Sequence, residues 1–240
     1  FSSVDNDLDN QTVTLAPDGS EAFYRACRGS ATTFPTDPSG GTVLSLTDDS
    51  YVPVTLSGGA QVLLYGVGYS SLYVGSNGYI TFTQGDAGRL ESPPDHFRMP
   101  RISGLFDDLN ASAGGTISWK QLEDRVAVTY ETVPEWDYSG GIGSNSFQIE
   151  MFFDGTIRMT WLGIDARDGL AGLSGGGGKP AGFLESDLSG YELCEQSTIP
   201  AVSSWGLAAL TLLLLAAGTV ILRRNVTNRA TTTGATAREA

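Results

Sequence analysis

Between residues 10 and 190 the hydrophobic positions recur mostly at every second residue, the period of a strand with one buried face. In the clearest unit Phe147, Ile149, Met151 and Phe153 alternate along one segment, and Ile157, Met159 and Trp161 along the next. Asp154-Gly155 lies between them and supplies the positive-φ chemistry that a two-residue hairpin loop needs. Asn77-Gly78 plays the same part between residues 71–74 and 79–83. A third hairpin is predicted to join residues 51–56 to 61–65 across Gly58-Gly59, with Pro53 placing its strand at an edge or at a strand start. A fourth joins residues 116–120 to 125–130, and residues 102–106 read as a further strand. No convincing amphipathic helix precedes residue 199. Turn signals about every ten residues predict an all-β domain over residues 1–190, an antiparallel β-sandwich or barrel. The strands follow no fixed repeat, which argues against a propeller or solenoid.

The pattern changes at residue 206. Residues 206–222 carry no charge, and as a helix they would rise about 25 Å, the short end of a membrane span. Trp205 sits at one end and Arg223-Arg224 at the other, as interface and positive-inside preferences require. A C-terminal transmembrane helix is therefore expected, with residues 1–198 outside and 225–240 inside. The alternative is a buried core helix, but such a helix usually keeps one polar face. Charge follows the same division: residues 1–205 hold 26 acids against 10 bases, whereas residues 206–240 hold four arginines against Glu239. An anchor of this type requires an upstream export signal, so the chain, starting at Phe1, is expected to lie downstream of one.

Ile199-Pro200-Ala201-Val202-Ser203-Ser204-Trp205-Gly206, the apolar run and Arg223-Arg224 resemble an IPTL-CTERM sorting tail, related in design to PEP-CTERM tails. The resemblance implies export and recognition by an exosortase-type membrane protease. Its motif positions here are Ile199, Pro200, Ser203, Trp205, Gly206, Arg223 and Arg224. Ala201-Val202 replaces the usual Thr-Leu, and 16 residues follow the arginine pair where such tails end almost at once.

A second resemblance covers residues 70–174. Tyr73-Val-Gly-Ser-Asn77-Gly78-Tyr-Ile-Thr-Phe82, Pro100-Arg-Ile-Ser-Gly-Leu-Phe106-Asp107-Asp108, Gly115-Thr-Ile-Ser-Trp119 and Asn145-Ser-Phe147-Gln148 through Gly155-Thr-Ile157 follow in the order of the NIDO domain of nidogen-like proteins. It implies an extracellular adhesion or matrix module without catalysis. Phe106-Asp107-Asp108 departs from the family's usual Trp-Asp.

The net charge of −13 argues against nucleic-acid binding, and two cysteines with one histidine exclude most zinc sites. In an exported protein two cysteines usually pair, so a Cys27–Cys194 disulfide is expected, the alternative being two separate thiols. Asp5-Asn6-Asp7-Leu8-Asp9-Asn10 alternates oxygen ligands but lacks the Gly and Glu of an EF-hand loop. Asp107, Asp108 and Asn110 are the candidate calcium ligands, with a polar turn as the alternative, and no other cofactor is called for. Gly172-Leu173-Ser174-Gly175-Gly176 matches a hydrolase elbow, but Gly177, Gly178 and Pro180 cannot open the helix that elbow needs. These glycines read as a flexible loop, and His96 reads as a surface loop residue. Tyr65, Tyr69, Tyr73, Trp136 and Tyr138 lie beside turns, and Trp136 and Tyr138 are the candidate ligand-binding pair, ordinary strand-end packing being the alternative.

Taken together, these readings predict an extracellular domain over residues 1–190, a linker with the sorting motif over 191–205, a transmembrane helix over 206–222 and a basic cytoplasmic tail over 223–240. The predicted role is a non-catalytic surface or envelope protein, anchored in the cell membrane, processed by the sorting protease and meeting envelope glycans or matrix proteins. The alternative is a carbohydrate-binding accessory module at the end of a larger secreted enzyme.

Overall fold

The structure is a computed structural model and describes residues 6–194. Its strands are β1 (Gln11–Pro17), β2 (Tyr24–Ser30), β3 (Thr42–Val43), β4 (Tyr51–Thr55), β5 (Val62–Leu64), β6 (Val67–Tyr69) and β7 (Ser71–Gly75). They continue with β8 (Tyr79–Thr81), β9 (Pro100–Phe106), β10 (Thr116–Gln121), β11 (Arg125–Glu135), β12 (Ile142–Phe152), β13 (Ile157–Ile164) and β14 (Leu170–Gly175). One short helix, α1 (Pro93–His96), precedes β9. A seven-stranded antiparallel sheet runs β2-β1-β13-β12-β11-β10-β3, a five-stranded one runs β14-β9-β8-β7-β4, and β5-β6 pair separately.

Alternation creates the inner layer. Val126, Val128 and Tyr130 of β11 lie opposite Met151, Ile149 and Phe147 of β12. The last three residues lie opposite Ile157, Met159 and Trp161 of β13. All nine are buried in one core with Leu72, Val74, Ile80, Ile102 and Leu105 of the smaller sheet. The sheets are tied across this core: Trp161 Nε1 donates to the Gly104 carbonyl at 2.8 Å and the Tyr130 hydroxyl to the Gly75 carbonyl at 2.7 Å. A Cβ on Gly104 would sit 2.7 Å from the Phe147 ring, so only glycine admits this close approach.

The outer face of the large sheet is also covered. Thr36 donates its amide to Gln148 and its hydroxyl to Glu150, while Gln148 donates back to the Thr36 carbonyl. The fully buried Glu150 carboxylate lies between Arg125 and Arg158. A buried charge survives because it is paired and hydrogen-bonded.

Two irregularities shape one end of the sandwich. The amides of Gly104 and Leu105 both donate to the Gly78 carbonyl, which puts a bulge in β9. Alternation shifts there, and Phe106 packs with Arg101 and Tyr79 instead of joining Leu105. On β11 the register shifts between Tyr130, Val133 and Glu135, around Thr132 with φ 54°.

The Asp154-Gly155 and Asn77-Gly78 hairpins and the pairing of β10 with β11 form as the pattern predicts. The hairpin expected across Gly58-Gly59 does not: β4 pairs with β7, and β5 with β6. Pro53 does lie on an edge strand. The glycine segment expected to be a flexible loop is largely β14, paired with β9.

The expected fold class needs two corrections. Both main sheets stay open, ending at β2, β3, β14 and β4, so there is no barrel. Among the described residues no helix is long and apolar enough to cross a membrane; the longest, α1, has four residues, against about 20 for a span. The single-pass, membrane-anchored architecture and its cell-membrane location are therefore replaced by a sandwich-like domain with no membrane-spanning helix among the described residues. Segment 206–222 and the motif residues Ile199, Pro200, Ser203, Trp205, Gly206, Arg223 and Arg224 lie outside the described residues.

Candidate functional site

The acidic stretch after β9 and the aromatic loop after β11 meet at the bulged end of the sandwich. The Trp136 amide donates to the Asp108 carbonyl, and the Asn110 amide to the Pro134 carbonyl at 2.8 Å. Asn110 Nδ2 donates to the Gly140 carbonyl at 2.7 Å, and its Oδ1 accepts from the Ser112 and Ala113 amides. Asn110 thus spends its side chain on holding two loops together. Sequence reading placed Asp107, Asp108 and Asn110 as one ligand set; the structure divides them.

Asp108 joins Asp48 and Asp49, whereas Asp107 joins Glu91 and Asp168; in each group one carboxylate oxygen per residue lies within 4.8 Å of the others. The first group already has a cation and a donor: Arg89 pairs with Asp49 at 3.3 Å, and the neutral Asn77 amide donates from Nδ2 to Asp49. The second is built from both sheets. Asp107 follows β9, while Ser92, the α1 N-cap, positions Glu91 beside it in sequence. Buried Asn145 accepts the Asp165 and Ala166 amides, which sets the turn carrying Arg167 and Asp168. Asp107 Oδ1 accepts the Asp108 amide at 2.7 Å, but buried Oδ2 has no hydrogen-bond partner. Burial first, then the nearby Glu135 carboxylate, pushes the Asp107 carboxyl up to about 8. Burial also raises the Glu91 carboxyl. Glu135 itself is held by Arg167, whose Nε lies 2.9 Å from Oε1 and whose amide donates to Oε2.

Glu91, Asp168 and His96 line a cleft of about 620 Å³ between β1, β13 and β14, walled by Leu8, Val13, Tyr24, Trp161 and Leu173 and covered by Leu188 and Tyr191. His96 is 2% exposed, not the surface residue expected. Its Nδ1 lies 3.0 Å from Ser103 Oγ, and burial pulls the imidazole down to about 4. Ser174 lies within β14, donating to the Met99 carbonyl and accepting from the Gly176 amide. No strand-to-helix elbow forms around it, and His96 is hydrogen-bonded to a different serine.

The remaining sequence candidates are placed as follows. Cys27 and Cys194 form a disulfide, as expected for an exported chain. Asp7 and Asp9 accept the Leu188 and Ile164 amides, which uses the acidic N-terminal run to fasten the domain ends. Tyr65 packs on Tyr24 and Phe23, Tyr69 on Phe82, and Tyr73 on Tyr51. Tyr138 is 99% exposed and meets Trp136 edge-on, ring centroids 5.1 Å apart. Glu91 and Asp168 were missed in the sequence because no local spacing marks them among the other acids. Arg101, fully buried in β9, was also missed; its signal was a lone cation inside an apolar run.

The buried pair predicts a pH profile. Asp107 binds its proton more tightly folded than unfolded, so its contribution falls as pH rises from about 4 to about 8. His96 has the opposite sign: its stabilising effect is present above about 6.5 and lost as pH falls toward about 4. From pH 6.5 upward, in chelator, urea unfolding should show stability falling by at most about 1.4 kcal/mol per pH unit, the slope easing as pH nears about 8. Asp107→Asn should flatten that window, and His96→Gln should remove the acid-side loss. An unchanged slope in Asp107→Asn would assign the titration to another group.

Comparison with known proteins gives one match. A family model described as NIDO related matches residues 24–204, about three quarters of the chain. No curated protein matches, and no solved structure matches. The match agrees with the nidogen-type resemblance. Nothing found supports an IPTL-CTERM sorting tail, its protease or a glycan partner, and those expectations, with the processing they implied, are withdrawn. The open antiparallel sandwich, the resemblance of its hairpins and this match together make the chain a member of the NIDO-related family.

Proposed function

We propose that this chain is an extracellular, non-catalytic recognition domain, closed by its disulfide and presenting the loop of Trp136 and Tyr138. The Cys27–Cys194 bond carries the extracellular part of the reading, because structural disulfides persist in oxidising compartments and are rare in the cytosol. The recognition part rests on Tyr138. A large aromatic ring at 99% exposure contributes nothing to the core, and it stands on a loop braced by Asn110 and Asp108. Exposed rings on braced loops are common at binding surfaces. The non-catalytic part is supported by the engagement of Ser174 and His96 in internal hydrogen bonds.

The test has two arms. Native cells are fractionated, free thiols are alkylated, and the mass of the protein in each fraction is measured. Oxidised protein outside the cytoplasm is expected, and a reduced cytoplasmic pool would overturn the extracellular reading. Labelled chain is then applied to the surface of the producing cells. Retention that falls at least tenfold in Trp136→Ala or Tyr138→Ala, with unchanged circular dichroism, is expected. Equal retention of wild type and both variants would reject this loop as the recognition surface.

A further inference from the structure

We propose that Glu91, Asp107 and Asp168 form a calcium site at the bulged end of the sandwich. The inference does not depend on the recognition role of the aromatic loop. Three observations support it. One oxygen from each carboxylate lies within 4.8 Å of the other two. Two calcium–oxygen bonds of roughly 2.3–2.6 Å reach across about 5 Å, so oxygens within that limit can meet one ion after small side-chain movements. Asp107 is 2% exposed, and its Oδ2 has no hydrogen-bond partner. A buried polar atom left unpaired costs free energy, and a cation would satisfy it.

The third observation is charge. Among the described residues neither Glu91 nor Asp168 takes part in an ion pair, and the guanidinium beside them, on Arg167, is committed to Glu135. Three carboxylates without a cation of their own are complementary to a hard divalent ion. Glu91 and Asp168 also line the open cleft, through which water can reach the site and complete the shell. Magnesium needs shorter bonds of roughly 2.0–2.1 Å and near-ideal octahedral geometry, a stricter demand than calcium's flexible shell makes on carboxylates carried by three separate segments. The neighbouring Asp48, Asp49 and Asp108 group is a weaker candidate because Arg89 already supplies a positive charge.

Isothermal titration calorimetry of the purified full chain, stripped with chelator and titrated with calcium chloride, tests the assignment. One ion per chain is expected, with a dissociation constant roughly in the 10⁻⁴–10⁻³ M range of weak extracellular sites. Asp168→Asn, at an exposed position, and Glu91→Gln, at a half-buried one, should each weaken binding by roughly tenfold or more, since affinity follows ligand charge count. Asp107→Asn should abolish it. Asp49→Asn should leave it unchanged, and magnesium should bind at least tenfold more weakly. No calcium heat at millimolar concentrations overturns the site. So does binding that survives Asp168→Asn and Glu91→Gln, or that is lost in Asp49→Asn, since either places the ion elsewhere.

Discussion

Cys194→Ser lowers the stability of the domain by about 5 kcal/mol on the chain-entropy account, against the roughly 5–15 kcal/mol by which ordinary domains are stable. The bond joins residues 167 apart in sequence, one of the longest loops this chain could close, and loop length sets the entropy removed from the unfolded chain. Cys27 lies in β2, an edge strand of the large sheet. The other partner ends a segment that lies on that edge: the Cys194 amide donates to the Arg28 carbonyl, and the Arg28 amide to the Glu192 carbonyl. Arg28 Nε reaches the Tyr191 carbonyl, and Leu188 is buried over the cleft. Without the bond, Leu188 and its amide bond to Asp7 still hold the start of this segment, but its end at Cys194 keeps only the bonds to Arg28 and a solvent-exposed Arg25–Glu192 pair worth little. Urea unfolding with and without reductant measures the effect. Cys27→Ser, Cys194→Ser and reduction should give the same loss, and the double variant should add nothing further. A loss below about 1 kcal/mol would show that the unfolded chain is already constrained in this region.

Removing Asp86 is expected to cost about 3–5 kcal/mol, more than removing the arginine it pairs with. Arg101 is fully buried and forms an ion pair with Asp86, which also takes Arg98 at 3.0 Å. The Arg101 guanidinium lies 4.2 Å from the Tyr79 ring centroid and 4.7 Å from that of Phe106. Its Nε and Nη1 have no hydrogen-bond acceptor, so aromatic faces and one carboxylate carry the whole cost of burying the charge. Asp86→Ala leaves that cation without a counter-ion in the interior. Arg101→Met removes the charge, keeps most of the volume between the two rings and should cost less than about 2 kcal/mol. Urea midpoints of the two variants, at equal m-values, decide the order. If Arg101→Met proves the more damaging, the guanidinium–aromatic contacts matter more than the ion pair.

Much of this fold was legible because its signals are local. Asp154-Gly155 and Asn77-Gly78 specify their turns within two residues, and alternation over six or eight residues specifies which face is buried. The same reasoning failed at Gly58-Gly59. Both glycines do adopt positive φ, at 66° and 74°, but the strands they separate pair with other partners. Turn chemistry sets where the chain reverses; burial of Val54 opposite Leu72 decides what β4 lies beside.

The sequence by itself determined the all-β class, the strand-rich nidogen-type order, the acidic character and, through compartment chemistry, the disulfide. Only the tertiary structure decided the chemistry of the site. Asp107 and Asp108 are neighbours in the chain, yet they enter different clusters because successive side chains diverge after the β9 bulge. Glu91 and Asp168 reach Asp107 from 16 and 61 residues away, through the α1 cap and the Asn145-held turn. The burial of His96 and the lone charge of Arg101 depend likewise on which strands close over them. Periodicity reports one strand's environment, whereas a site assembled from two sheets depends on register, bulges and sheet packing, none of which any single segment encodes.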